Sequence, residues 1–319
     1  MLLLSSPPTL IFGGASIGDA YNTVSAVSDL LSTLQTLGIH RIDTAARYPS
    51  PRPGTSELLL GEVSAAKQGF AIDTKIIPLG DGSGSLAPQA VGRSLDGSYQ
   101  RLKLGEDANV NVLYCHCPDP QTPLEEQAGG LDAQFRRGLF KQLGISNFSP
   151  EMLQDFLTIC DRHGFIKPSV YQGQYNVLCR DVEKDLLPIL RRHGIAFVAF
   201  SPLAGGFLTG RLTTGDVAGT RFSDGNVMGQ YLRVQYDRHE MHTAVKALQD
   251  ALKREGIGNV EACLRWICWH SALREGDGII LGASRLEQLN KNCEAVKRGP
   301  LPESIVQVMD ALGNMEESS

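Results

Sequence analysis

The sequence predicts a single α/β domain of the (β/α)8 TIM-barrel class over residues 1–319. From residue 20 onward, stretches of helical periodicity alternate with short, β-rich runs that are apolar almost throughout. Continuous apolar runs of that length indicate parallel strands buried on both faces, with helices covering them. No strand–glycine-rich turn–helix fingerprint opens the chain, which favours a closed barrel over an open doubly wound sheet.

In chain order, a helix expected over 23–37 is stopped by Gly38 and leads into a strand over 39–44. A helix over 56–66 precedes a strand over 70–76, and a helix over 88–102 precedes a strand over 109–116. The stretch 124–139 leads to 141–146; 150–163, ended by Gly164, leads to 168–172; 182–193, ended by Gly194, leads to 196–201. Glycine suits these stops because the left-handed backbone just past a helix carries no steric penalty without a Cβ. A long irregular stretch, roughly 204–238, precedes helices over 240–255 and 260–271. A strand over 278–282, a helix over 285–297 and a last helix near 303–312 close the series. That makes seven strands after residue 38, and either a hidden strand near 10–15 or an imperfect boundary among the seven would make eight. No low-complexity segment or linker divides the chain.

Composition narrows the function. A net charge of -5 supplies no basic field, so a nucleic-acid partner is not expected. Seven scattered cysteines, an odd number without regular spacing, point to free thiols in a reducing compartment. The apolar start, Met1 to Leu4, is too short for a signal peptide and lacks a basic leader. No run approaches the roughly 20 apolar residues that span a bilayer. A cytoplasmic protein without a membrane partner is the expectation.

Four polar residues carry the chemistry: Asp43, Tyr48, Lys75 and His116 stand at or just after the ends of three successive predicted strands. In a parallel barrel these ends converge at the C-terminal mouth, where such folds build active sites. A tyrosine, a lysine, a carboxylate and a histidine make a proton donor with neither metal nor nucleophile, which suits carbonyl reduction. Hydride delivered to a carbonyl carbon leaves charge on oxygen that a proton and hydrogen bonds must meet. A free tyrosine has a pKa near 10, and a neighbouring ammonium, here Lys75, is expected to lower it. Asp43 is expected to pair with Lys75, and His116 to align the substrate oxygen under Tyr48. Other motifs read as structure. The run 80–85 looks like a phosphate loop but lacks the P-loop lysine, so it is taken as a flexible connection. In Cys115-His116-Cys117, strand alternation keeps His116 from sharing a site with both cysteines, so no metal is expected.

The four residues match, in identity and order, the catalytic tetrad of the aldo-keto reductases. The resemblance extends to Gly144-Ile145-Ser146-Asn147, Tyr171-Gln172-Gly173-Gln174-Tyr175-Asn176, the block 201–211 and the block 282–292, and so covers nearly the whole chain. The Gln-Gly-x-Tyr-Asn and Pro-Leu-Ala-Gly-Gly blocks look most like the aflatoxin-aldehyde reductase branch. Potassium-channel β subunits are more distant relatives by the same tests. The resemblance implies a (β/α)8 barrel, NADPH as cofactor and reversible reduction of a small-molecule carbonyl, and it leaves room for a homodimer. It also implies a non-catalytic rival on the same barrel, a cofactor-sensing subunit like those of the channels.

Carried over residue by residue, the resemblance puts Ser146, Asn147 and Gln172 on the nicotinamide carboxamide, with Asp43 beside the cofactor and Phe200 against the nicotinamide ring. Ser201, Pro202, Leu203, Gly205, Gly206, Leu208, Gly210 and Arg211 would wrap the pyrophosphate. Arg221, Ser284, Arg285, Gln288 and Asn292 would hold the adenosine 2′-phosphate end, Gln288 replacing an arginine that many members use. Substrate would meet Tyr48, His116, Tyr231 and Arg233. In the resembling branch an aromatic–arginine pair near the C-terminus helps hold acidic aldehydes, whereas this chain carries Glu316 and Glu317 there. An open pocket that favours neutral, bulkier carbonyls is therefore expected.

Overall fold

The computed structural model describes residues 7–78, 80–105, 108–223 and 227–313. Eight parallel strands form a closed barrel in chain order, β8 pairing back to β1. They are β1 (Thr9–Gly13), β2 (Arg41–Asp43), β3 (Ala71–Lys75), β4 (Val110–Cys115), β5 (Phe140–Ser146), β6 (Pro168–Gln174), β7 (Ala196–Phe200) and β8 (Gly278–Leu281). The eighth strand is β1, at the first of the two alternatives, near 10–15. Helices α1 (Val24–Thr36), α2 (Thr55–Glu62), α3 (Pro88–Leu102), α4 (Leu124–Arg136), α5 (Pro150–His163) and α6 (Leu186–Arg192) follow the first strands. The chain continues through α7 (Val227–Tyr236), α8 (His239–Glu255), α9 (Asn259–Trp269), α10 (Leu286–Lys297) and α11 (Glu303–Gly313). None of the helices among the described residues is long and apolar enough to cross a membrane.

Two expectations need correction. The helix expected over 182–193 is a 3₁₀ turn at Asp181–Glu183 followed by α6. Pro188 lies in the first turn of α6, where its missing N–H has no helical acceptor to lose. The stretch 204–238 is also not irregular throughout: it holds a 3₁₀ helix, Ala204–Thr209, and α7. Gly229, Leu232 and Tyr236 of α7 are buried, a helical spacing disguised by the glycine and the polar residues between them. Tyr236 stacks on Phe207 with centroids 5.5 Å apart, so the 3₁₀ helix and α7 hold each other in place.

Two apolar layers account for the packing. Residues facing the helices form the large outer core, while Ile11, Val112, Tyr114, Val170, Val198 and Ile280 fill the barrel itself. Inside the barrel, β2 and β3 depart from this pattern by contributing charge, with Asp43, Asp73 and Lys75 all buried. Glu57 of α2 is also fully buried. It accepts from Thr74 Oγ1 at 2.5 Å and from Arg101 Nε at 2.7 Å, fastening α2 to both β3 and α3.

The α2–α3 crossing depends on one glycine. A Cβ on Gly61 would overlap the Arg101 carbonyl and the Leu102 backbone. Gly61→Ala should therefore destabilise the fold by about 1–3 kcal/mol, the usual range for overpacking against groups that cannot swing away. Gly92, inside α3, meets only Gln134 Nε2 at 3.7 Å. Gly92→Ala should stabilise by about 0.4–1 kcal/mol through helix propensity and reduced unfolded-state freedom. Urea unfolding of both variants checks this, and equal effects would show that the crossing does not need Gly61.

Candidate active site

The mouth of the barrel is organised around Lys75. As the last residue of β3, it points inward beside Asp43, the last residue of β2. Lys75 Nζ lies 2.6 Å from both carboxylate oxygens of Asp43 and 2.8 Å from the Thr44 carbonyl. Gln172 on β6 adds a donor to Asp43 Oδ1 at 2.8 Å. Burial is the largest single influence and works against the Lys75 charge, but Asp43, Tyr48 and Asp73 together outweigh it, and the ammonium pKa stands above its ordinary value. Such a pair holds together because removing one partner strands the other charge in a low-dielectric interior.

Tyr48 hangs over this pair from the turn after β2. Its backbone is tied at both ends, N–H to the Ala45 carbonyl and carbonyl to the Ser56 N–H. Lys75 Nζ lies 5.0 Å from the centre of its ring, and His116 meets that ring edge-on with centroids 5.8 Å apart. Burial pushes the Tyr48 phenol above its ordinary pKa, while the charges of Lys75 and, further out, Arg221 pull it down and Asp43 pushes it up. The net direction corrects the expectation that Lys75 lowers it outright. Desolvation favours the neutral phenol, and Asp43 offsets much of the ammonium's field.

His116 follows β4. Burial, then the charges of Lys75 and Arg47, push its pKa down to about 3, so the imidazole is neutral at physiological pH. Its Nδ1 is buried and has no partner among the described residues. A buried N–H without an acceptor costs about 1–3 kcal/mol, which assigns the single proton to Nε2.

The residues expected at a cofactor fall into two groups. Ser146 and Asn147 follow one another at the end of β5, and Asn147 Nδ2 donates to the His116 carbonyl at 2.9 Å and to Ser146 Oγ at 3.1 Å. Gln172 is buried on β6, and Phe200 ends β7, packed on the inner core. Left-handed backbone gathers here, at Asn147 (φ 62°), Ser201 (φ 55°) and Ala204 (φ 50°). Conformations that side chains disfavour cluster at sites that need them. After Pro202 and Leu203, the turn continues through Gly205, Gly206, Leu208 and Gly210, where Cβ atoms on Gly205 and Gly210 would strike Leu232 and Gln249. Arg211 is bound to Asp216 at 2.9 Å and to the Ala218 carbonyl at 2.8 Å. The second group lies at the start of α10. There Gln288 Oε1 accepts from the Ser284 N–H at 3.3 Å and faces its hydroxyl at 3.4 Å, beside the exposed Arg285. Asn292 is buried two turns further along.

Three further residues have other surroundings described. Arg221 has Tyr48 and Asp19 as electrostatic neighbours. Arg233 is occupied by Asp237 at 2.7 Å and the Phe222 carbonyl at 2.7 Å, so it braces the loop before α7. Tyr231 is 65% exposed on α7. The acidic tail, 314–319, lies outside the described residues.

Sequence reasoning missed two polar centres. Beneath Lys75 and Asp43 lies a layer of Arg41, Asp73 and Asn111, whose only sequence signal is a charge at Asp73 in an otherwise apolar run. Asp119, three residues past His116, accepts from the N–H groups of Gly84 (2.8 Å), Leu86 (2.9 Å) and Gln121 (3.0 Å). It pins the glycine-rich segment read as a flexible connection to the loop after β4. An aspartate in a loop carries no sign of which distant N–H groups it caps.

The aldo/keto reductase family model matches residues 9–314. The human aldo-keto reductase family 7 member A3 is 35% identical over 317 residues, 95% of this chain and 93% of the relative. Mouse aflatoxin B1 aldehyde reductase member 2 is 34% identical over 321 residues, 97% of this chain and 85% of the relative. An aldo-keto reductase of Pseudocercospora fijiensis is 34% identical over 290 residues, 88% and 95% of the two chains. The chain belongs to the aldo/keto reductase family.

The neutral His116 leaves a signature in stability. With the folded pKa about 3 and an unfolded value near 6.5, the unfolded state binds the extra proton between them. Stability therefore rises with pH through that window and is lost as pH falls below about 6.5. His116→Asn should lose less melting temperature than the parent between about pH 6.5 and pH 4.5. Parallel curves over that range would mean that His116 is not held neutral.

Proposed function

We propose that this family member reduces an aldehyde or ketone to an alcohol with NADPH, Tyr48 serving as proton donor. The observation that carries the reading is the convergence of Tyr48, the Lys75–Asp43 pair and a neutral His116 at one end of the barrel. The residues also fit a nicotinamide dinucleotide. Polar groups at the ends of β5 and β6 suit the carboxamide, and the start of α10, with Ser284 and Arg285, offers N–H dipoles and a guanidinium to a phosphate. The bound cofactor would supply the hydride, and the chain would orient and protonate the substrate.

His116 Nε2–H donates to the carbonyl oxygen and polarises it, but an imidazolium with a pKa about 3 is scarcely populated at neutral pH and cannot be the acid. Tyr48 holds its proton for the same reason that its pKa is raised, and releases it to the oxygen as charge develops there. Lys75 then faces the phenolate, and Asp43 and the Thr44 carbonyl keep the ammonium from turning away. The relatives described as aldehyde reductases support turnover over a purely cofactor-sensing role. Seven free cysteines suit a reducing cytoplasm. Arg221 places a cation near Tyr48, so a neutral preference in substrates rests on the tail alone.

Tyr48→Phe removes only the transferable proton. It should keep NADPH binding while kcat falls by at least about 10²-fold, the low end for general acid catalysis. A near-normal kcat with 4-nitrobenzaldehyde would remove Tyr48 from the mechanism, and a parent protein that oxidises no NADPH with a panel of aldehydes would favour the sensing role.

Arg285→Ala should shrink the preference for NADPH over NADH by about tenfold or more, since a lost charged hydrogen bond costs about 1.5–3 kcal/mol. An unchanged ratio of the two kcat/KM values would place the 2′-phosphate away from α10.

A further inference from the structure

The chain spends a second ion pair where the mechanism uses only one. Asp43 and Asp73 are direct register partners across β2 and β3, so two carboxylates lie side by side on the same inner face. Both are buried, at 3% and 1% exposure. Each has its own cation: Lys75 above, on Asp43, and Arg41 below, with Nε 2.6 Å from Asp73 Oδ2. Asn111 Nδ2 donates to Asp73 Oδ1 at 2.6 Å. Tyr114 joins the two pairs, its hydroxyl 3.5 Å from Arg41 Nη2 and its ring centre 5.6 Å from Lys75 Nζ. Two like charges in adjacent register inside a barrel are unfavourable unless both are neutralised.

We propose that Arg41 and Asp73 are positioning residues for the reaction: their ion pair balances the charge beneath Asp43, keeps that carboxylate committed to Lys75, and so sets the field in which Tyr48 gives up its proton. With both pairs intact the four groups carry no net charge. Removing the Asp73 charge leaves Arg41 facing Asp43, which is then shared between two cations, and Tyr48 faces a net positive cluster. Removing the Arg41 charge does the opposite. The sign of the effect on Tyr48 follows the sign of the charge removed, whereas a merely structural role has no such sign.

Asp73 faces Arg41 and Asp43 from β2, Lys75 from its own strand, and Asn111 and Tyr114 from β4. Tyr48 faces Lys75, Asp43, His116 and Arg221. Burial pushes the Asp73 carboxyl up to about 6, with Arg41 and Asn111 opposing and Asp43 adding to the rise. Its charge is therefore sensitive to the layer around it.

The inference rests on the proposed carbonyl reduction, and two readouts separate their fates. The first is the alkaline limb of the kcat–pH profile for NADPH-dependent reduction, which reports loss of the Tyr48 proton. The second needs no turnover: the ring-carbon chemical shift of ¹³C-labelled tyrosine at one alkaline pH, assigned through Tyr48→Phe. Asp73→Asn should move the limb to lower pH by about half a unit or more and displace the resonance toward tyrosinate. Arg41→Gln should move both the other way, because Asp73 is ionised at those pH values. Arg41→Gln/Asp73→Asn, which removes both charges, should return both toward the parent. Either single variant suffices if the other does not fold. Limbs and resonances that superimpose on the parent, or shifts of the same sign in both single variants, would overturn the inference even where the parent turns over normally. A parent without turnover would instead overturn the reduction itself, while the resonance still reports on the charge layer.

Discussion

Everything at the mouth of this barrel depends on the ion pair between Lys75 and Asp43. A lysine with 1% of its surface exposed can stay charged only where it has close polar partners, and here the Asp43 carboxylate and the Thr44 carbonyl provide them. The ends of β2 and β3 therefore have little freedom. Asp43 must end its strand next to Asp73, and Lys75 must lie one inward position further along β3. Gln172 reaches Asp43 from β6, so the far wall of the barrel is tied into the same arrangement. Polar groups that a core normally excludes become what aligns these strands, because leaving any one of them unpaired would cost more than packing could return.

Desolvation around that pair divides the work between Tyr48 and His116. Both lose water, but the neutral form differs between them: burial keeps a proton on the phenol and removes one from the imidazole. Tyrosine thereby keeps its proton and histidine stays neutral, the states that the proposed reduction asks of them. The division needs no special residue beyond the four, only that they share one poorly hydrated mouth with a cation at its centre.

The loops add rigidity by quite different means. Asp119 caps N–H groups from two loops at once, and Glu57 fastens α2 to β3 and α3. Asn147 joins the end of β5 to the His116 carbonyl and takes a left-handed backbone to do so. The turn after β7 combines left-handed residues with glycines that α7 and α8 overlie. Rings of Phe207 and Tyr236, stacked 5.5 Å apart, give that turn its backing. The groups proposed to carry the chemistry thus sit on strand ends and strained turns, with buried acids bracing the elements around them.

Much was legible from local pattern. Continuous apolar runs alternating with helical periodicity determine a parallel barrel, since only strands covered on both faces are apolar throughout. Helices α3 and α5 match their expected limits to the residue, because Pro88 and Pro150 open them and the chain turns left-handed at Lys103 and Gly164. Asp43, Tyr48, Lys75 and His116 could be singled out because polar residues at the ends of apolar strands have few structural reasons to be there. What only the tertiary structure decided depends on distance and solvent. The direction of the Tyr48 shift is a balance between lost water and three nearby charges, which order along the chain does not encode. The Arg41–Asp73 layer depends on a register that places residues 32 apart within 2.6 Å. The diversion of Arg233 to Asp237 and of Arg221 toward Tyr48 depends on where a long connection folds back. Sequence patterns report which face a residue turns; the partner it meets there is settled only when the barrel closes.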